Sequence, residues 1–525
     1  MIKMKIVSIF PIITVLVVII LFLNVKSLDI NESYDNIGMP DNSEWNKIYE
    51  NFAGEAYDII KVKGGYTITG GCMAENTSWS ESDVFLLKVD ENGGIIWDRT
   101  YGGDKEDVGL SLAKTENAYV ICGYTLSFGN GKADVWVIKT DAQGNEIWNK
   151  TYGGKGDDFG KRIIRVNNGY VIVGSSGDRN GDIWVIETDE NGNEIWNKTY
   201  GGKDYERGED ILKTKDGYLI CGVTASYGKW GTWDAWVIKI DEHGNEIWNK
   251  TYDHGDMEWA TRIIKVGNEY MVVGDATRPP SGWLIKIDEY GNEIWNKTYG
   301  GEFGESFSDI SETDGGYMLA GATASYDVGF TDGWLLKIDK QGNEIWNKSF
   351  GRRFGDSLSS CLYDNGSYIL TGGSYNVFLG NEKPKADPRI WVIKCADYPP
   401  PERINIMRPG NYLYLFDREI MPTKKTLILG GITVVAEVND PLDNVNRVEF
   451  YLASEKMYDY KPRAVLCNPP YEWKWNSFSV GLRAPYTITA AAYYGNAGAV
   501  IVDNKIEVYI VNLAPAPSAP TDAGN

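Results

Sequence analysis

Histidine is nearly absent. His243 and His254 are the only two in 525 residues, which removes most His-based metal sites and Ser-His-Asp chemistry. Cysteine is sparse as well. Cys72, Cys122, Cys221, Cys361, Cys395 and Cys467 form no CxxC pair and no framework spacing. Five of them lie in or beside strand-like apolar runs, which reads as isolated buried thiols, although an exported chain permits a disulfide. Basic charge is short: 52 Lys and Arg face 73 Asp and Glu, a net charge of −21. That argues against a nucleic-acid partner. The imbalance is local. Residues 402–512 hold 12 basic and 12 acidic side chains, so nearly all the negative charge lies between about 27 and 401.

What is abundant points one way. Aromatics make up 13%, with 19 Trp and 33 Tyr, and there are 59 Gly. Many short strands with Gly-rich turns produce this mixture, and helical bundles do not. A chain of this length has room for three or four domains.

Residues 6–23, "IVSIFPIITVLVVIILFL", carry no charge, and Lys3 and Lys5 precede them. The run nearly spans a bilayer core, and the lysines favour keeping the N-terminus inside, with the rest of the chain outside. The sequence "FLNVKSLDI" that follows offers no immediate small-x-small cleavage site. Residues 1–26 are therefore read as a signal anchor, with a cleaved signal peptide as the alternative. Residues 27–43 are a linker.

Internal repetition sets the fold. "EIWNKTYGG" or a close variant recurs with Trp at 45, 97, 148, 196, 248, 295 and 346. Each unit of about 50 residues has four strand-like runs: A ("KRIIRV", 161–166), B ("YVIVGS", 170–175), C ("DIWVIETD", 182–189) and D ("EIWNKTY", 194–200). Such units read as propeller blades. A runs start near residues 57, 107, 160, 209, 260, 307 and 357, so seven blades are expected over 44–398. The first D run (44–49) has no A, B or C before it, and the last C run (389–395) has no D after it. The N-terminal D strand should complete the last blade and close the ring.

The recurring Asp, Gly and Trp after strand C are Asp141, Gly144 and Trp148; then Asp189, Gly192 and Trp196; then Asp241, Gly244 and Trp248. This pattern resembles the Trp-docking repeats of pyrroloquinoline-quinone-like propellers. The hairpin is one residue shorter and lacks the Thr before Gly. Many such propellers bind no quinone, so the resemblance implies architecture and no cofactor.

"ADYPPPE" (396–402) is a stiff boundary. About nine strand-like runs follow, among them 432–438, 447–453, 471–475, 486–494 and 505–511, as in a β-sandwich over 399–512. "VNRVEFYL…YEWKWN…YTITAAAYYGNAGA" resembles the immunoglobulin-like modules of prokaryotic surface proteins, without a Cys pair. Trp473 and Trp475 read as packing residues. Residues 513–525 are a Pro- and Ala-rich tail expected to be disordered. The fold class is thus all-β: a seven-bladed β-propeller, then an immunoglobulin-like sandwich, behind an N-terminal transmembrane or signal helix.

The A–B and C–D turns are nearly invariant, whereas the B–C and D–A loops vary and emerge on one face. Diverse loops on a rigid frame are where binding usually lives. The B–C loops carry Trp79, Phe128, Tyr227, Trp230, Trp233, Tyr326, Phe330, Tyr375 and Phe378, as sugar or peptide grooves do, or as loops packed on each other do. The D–A loops carry Asp107, Asp157, Asp158, Glu206, Asp256, Glu258, Glu305 and Asp356. These could ring a channel mouth and attract a cation or basic peptide. Each could equally accept backbone N–H groups in its own turn. "DENGNE" resembles part of a calcium loop but lacks its later ligands and reads as a turn. No catalytic residue and no metal ligand is assigned.

Asn-x-Ser/Thr occurs at Asn31, Asn76, Asn149, Asn197, Asn249, Asn296, Asn347 and Asn365. Asn31 and Asn76 are the expected acceptors, because the strand D asparagines sit where a neighbouring blade could cover them. The sequence points to a surface-displayed or secreted binding or scaffold protein for an unidentified glycan, peptide or protein. A propeller enzyme (lyase, glycosidase or quinoprotein) and a purely structural envelope component are the alternatives.

Overall fold

A computed structural model describes residues 43–73, 79–177, 181–228, 232–254, 257–277, 280–301, 304–325, 331–350, 355–377 and 386–396, and the backbone of strands between 404 and 510. Residues 1–42 and 511–525 lie outside the described residues, and so do the apolar run, Asn31 and Asn76. Among the described residues no helix is long and apolar enough to cross a membrane.

Five four-stranded antiparallel sheets follow one another, each in the order A-B-C-D. One holds Glu206–Thr214, Gly217–Thr224, Asp234–Ile240 and Glu246–Tyr252. The first and last units share one long strand, Ser43–Val62, in a single seven-stranded sheet. Its N-terminal part pairs with Ala386–Ala396, Trp45 opposite Lys394 and Tyr49 opposite Ile390. Its C-terminal part pairs with Gly65–Met73 as the A strand of the first unit. The expected ring closure by the N-terminal strand is therefore present, and it leaves the C strand 386–396 without an open edge.

Successive units interlock through strand D. Along "EIWNKTY", Trp, Lys and Tyr share one side of the strand. That side grips the next unit's C–D hairpin. The hairpin glycines Gly93, Gly144, Gly192, Gly244, Gly291 and Gly342 have φ between +72° and +78°. A Cβ on any of them would lie 2.8–2.9 Å from the indole of Trp45, Trp97, Trp148, Trp196, Trp248 or Trp295 respectively. Turn geometry and docking both demand Gly there. The hydroxyls of Tyr49, Tyr101, Tyr152, Tyr200, Tyr252 and Tyr299 donate to the carbonyls of the same six glycines at 2.5–3.0 Å. The last unit has no C–D hairpin, because its D strand comes from the N-terminal end. At the place facing it the repeat carries Phe350 instead of Tyr.

Strand D's opposite side is equally committed. The Asn149 amide donates to Glu146 (2.7 Å) and accepts the Trp136 indole N–H (3.2 Å). Asn197 and Asn249 repeat this with Trp184 and Trp236. All three asparagines are exposed. Coverage by a neighbouring blade, expected above, does not occur; hydrogen bonds hold these amides instead. In the "DENGNE" turns the Asp189 carboxylate accepts the N–H groups of Asn191 and Asn193 and the Asn193 amide at 2.8–2.9 Å. These bonds, the Asn193 side chain first, hold Asp189 below the usual carboxylate range. The five described cysteines are buried.

Among the described residues, eleven strands lie between Ile404 and Ile510. Four match the expected runs closely, Ile432–Val438, Val445–Ser454, Tyr471–Trp475 and Tyr486–Tyr494, and the fifth, Ala499–Ile510, starts six residues before the expected 505. They form a three-stranded sheet and a larger sheet in which Thr426–Leu429 pairs in parallel with both Tyr412–Leu415 and Ala499–Ile510.

Candidate functional site

The A strands all bulge at one place. In each, a single residue is skipped in the pairing with strand B: Tyr57, Leu110, Lys161, Glu209, Thr261, Ser308 and Ser359. A bulge bends the strand and re-aims its side chains. The residues just after it are Asp58, Ser111, Arg162, Asp210, Arg262, Asp309 and Ser360.

These residues meet at the centre of the ring. Arg162 Nη1 lies 3.1 Å from Asp58, two units away, and Arg162 Nε lies 3.4 Å from Asp210. Arg262 Nε lies 3.6 Å from Asp210 and 2.9 Å from Asp309. Each Asp also ties its own strand to the next. Asp58 accepts the Leu112 N–H (2.8 Å), Asp210 the Ile263 N–H (2.9 Å) and Asp309 the Cys361 N–H (2.9 Å). The carboxylates holding Arg262 push its pKa up despite burial. Paired and hydrogen-bonded charges are the form in which buried charge is tolerated. Together they make a polar floor across the axis.

Toward the loop face a mouth opens above this floor. Its residues are all half-buried. The Tyr57 hydroxyl donates to Glu55 (2.8 Å), and the Tyr124 hydroxyl donates to Glu106. Tyr124 meets Phe159 edge-on at 5.0 Å. Next comes an aromatic ladder. Tyr205 stacks on Trp233 (5.5 Å), Trp233 leans on Trp259 (5.2 Å), and the Arg207 guanidinium sits 4.3 Å over the Trp259 ring. Glu209 pairs with Arg207 and accepts the Trp259 indole N–H at 3.1 Å. Asp275, opposite Trp259 in the sheet, is pushed up to about 6 by burial and by nearby Glu209. Burial also raises Glu55 and, with Arg207, lowers Lys161. Ser306, Ser308, Ser357 and Ser359 hold the corresponding positions of the last two A strands and are half-buried. Perturbed groups gathered in one recess mark a functional-site candidate.

Of the B–C loop aromatics, Trp233 joins this ladder. Phe128 and Tyr227 lie farther out, 44% and 49% exposed, against Trp136 (5.3 Å) and Trp236 (5.1 Å). Trp79 begins a short 3-10 turn, and Tyr375 lies in strand Ser367–Val377. Trp230, Tyr326, Phe330, Phe378 and Asp256 lie outside the described residues.

The D–A carboxylates sit in the junctions between units, where they staple loops. Asp107 accepts the Gly103 N–H (2.8 Å) and the Ser127 hydroxyl (2.7 Å). Asp158 accepts the N–H groups of Gly154 and Gly177, at 2.7 and 3.0 Å. Glu206 accepts the Gly202 N–H and the Thr224 hydroxyl, and Glu305 the Gly301 N–H and the Thr323 hydroxyl. Asp356 is buried in the same position, and exposed Asp157 pairs with Lys132 at 3.1 Å. Sequence reasoning named Glu258 but missed its cluster: Asp234, Asp253 and Glu258 each place a ligand oxygen within 4.8 Å of the others. Asp253 stands where most units have the first Gly of "YGG", and that departure was its signal. This trio could hold a cation.

The repeated four-stranded sheets, closed by a shared strand, are arranged as in a β-propeller. The fold is that of a β-propeller. No family model matches the chain. A stretch is 31% identical over 108 residues to the regulatory protein FlaEY of Caulobacter vibrioides, covering 18% of this chain and 11% of that protein. Among solved structures, Sqt1 from Chaetomium thermophilum aligns with a TM-score of 0.39 and 9% identity, over 88% of this chain and 98% of that one. The β-propeller domain of the Trilobed protease from Pyrococcus furiosus gives 0.36 and 11%, over 66% and 97%.

Proposed function

We propose that this chain is a seven-bladed propeller followed by an immunoglobulin-like module. Residues 6–23 hold it at the cell exterior, and it works as a binding or scaffold protein through its variable-loop face. The observation that carries this reading is the recess on that face. Aromatic, cationic and carboxylate side chains converge there above a floor of ion pairs. The ligand is a surface glycan, peptide or protein. The wider domain limits (44–398, 399–512 and a tail at 513–525) belong to the same proposal.

Glycan and peptide arrays probed with residues 27–525 test it. Binding to a restricted ligand class, weakened by Trp233→Ala, is the expected result. Background signal for every class, from protein with native circular dichroism, would overturn it. One feature favours the second reading, a propeller enzyme. Asp275 keeps its proton to about pH 6 beside Glu209, as a general acid would need. Release of product from a bound ligand, lost in Asp275→Asn, would decide for that reading.

A further inference from the structure

The cations at the centre are almost all committed. Arg162 and Arg262 are tied into the floor. Arg207 is held by Glu209 and the face of Trp259. Lys161 differs. It is the bulged residue of its A strand, the only basic one among the seven bulged residues, and it is half-buried at the mouth. Among the described residues no hydrogen bond or ion pair engages its Nζ. Glu209, the acidic neighbour that acts on it, already serves Arg207 and Trp259. An ammonium held in a partly dry place, its acidic neighbour shared with other donors, gains most from an incoming anion.

The surroundings restrict that anion. Glu55, Glu106, Glu209 and Asp275 lie around the same mouth, and the chain carries −21 overall, so a polyanion is repelled far more strongly than a single carboxylate. The other partners suit hydroxyl groups. Carboxylates and serine hydroxyls accept or donate to them, and half-buried Trp233 offers a rigid apolar wall.

We propose that the loop-face mouth binds one carboxylated sugar residue end-on, with its carboxylate on Lys161 Nζ and its ring against Trp233. This rests on the reading that the loop face binds a ligand. Burial beside Arg207 already holds the Lys161 ammonium below its usual range, and a bound carboxylate relieves that penalty.

Titration calorimetry on the detergent-solubilised full chain tests the proposal. The probes are oligosaccharides ending in glucuronate or galacturonate, their glucose- and galactose-ended counterparts, and a short peptide as free acid and as amide. The uronate-ended probes should bind at least about tenfold more tightly than the neutral ones, a difference of about 1.4 kcal/mol. Lys161→Gln should abolish that preference with no fall in thermal midpoint, and Lys161→Arg should keep part of it. Trp233→Ala should weaken uronate and neutral sugars alike. Equal binding of uronate and neutral sugars, lost in Trp233→Ala, would overturn the carboxylate and leave the loop-face reading standing. A full uronate preference in Lys161→Gln would overturn the assignment of the carboxylate to Lys161, and binding of the peptide acid without the sugars would overturn the sugar; both leave the loop-face reading standing. No binding of any probe would overturn the sugar proposal, and the array experiment then decides the loop-face reading separately.

Discussion

The central ion pairs make the sharpest test of the architecture. Arg262 touches carboxylates from two other units, Asp210 and Asp309, and its side chain is 18% exposed against 2% for Asp309. Removing one member of a buried pair typically costs about 3–5 kcal/mol, because the other charge is stranded. Asp309 would keep three donors: the N–H groups of Ile310 and Cys361, and the Ser360 hydroxyl at 2.8 Å. Arg262→Met should therefore fall near the low end, about 3 kcal/mol. Asp309→Asn should cost about 2 kcal/mol, since an amide N–H₂ then faces the guanidinium. The double variant should lose less than the sum, with a coupling of about 2 kcal/mol. Urea unfolding followed by tryptophan fluorescence gives these values. The exposed pair Lys132–Asp157, 58% and 37% exposed, is the control and should couple by under about 0.5 kcal/mol. Additive single effects at the ring, no larger than at that control, would refute a structural role for the floor.

The interlock gives two further expectations. Gly192→Ala should cost about 2–3 kcal/mol, from the left-handed backbone plus contact with Trp148, whereas Gly366→Ala, with φ +85° and nothing within 4 Å, should cost about 1 kcal/mol in the same assay. Tyr200→Phe should lose about 1 kcal/mol with its bond to the Gly244 carbonyl, while Phe350→Tyr should gain nothing, having no hairpin carbonyl to reach. Deleting residues 43–49 should bare the C strand 386–396 and yield dimers or aggregates in light scattering; a monomer with an unchanged melt would contradict the closure. The Asp275 carboxyl keeps its proton in the folded state between about pH 4 and 6, where the unfolded chain has lost it. Its contribution to stability is thus present below about pH 4 and lost as pH rises through about 6. Asp275→Asn should flatten that decline in melts taken from pH 4 to 7.

Local chemistry made most of the propeller readable. A β-rich run, a turn with Asp and Gly, and a Trp at fixed offsets state their strand, turn and docking roles within about 15 residues, and the repeat states them again in each unit. The unmatched D and C runs at the two ends carried the closure. Phe350, too, was a departure visible in the repeat, though its reason lies in the missing hairpin. The central site was not readable in the same way. Asp58, Ser111, Arg162, Asp210, Arg262, Asp309 and Ser360 occupy one column of the aligned A runs, where their variation looks like tolerance at an exposed position. It becomes complementary charge only when residues about 50 to 100 apart are brought to one axis and each strand bulges to turn them inward. The mouth depended on tertiary structure for the same reason. Its ladder joins Tyr205 of a D–A loop, Trp233 of a B–C loop and Trp259 of the next unit's A strand. Sequence patterns report what a segment does by itself, whereas a recess between units is made of contacts that no single segment contains.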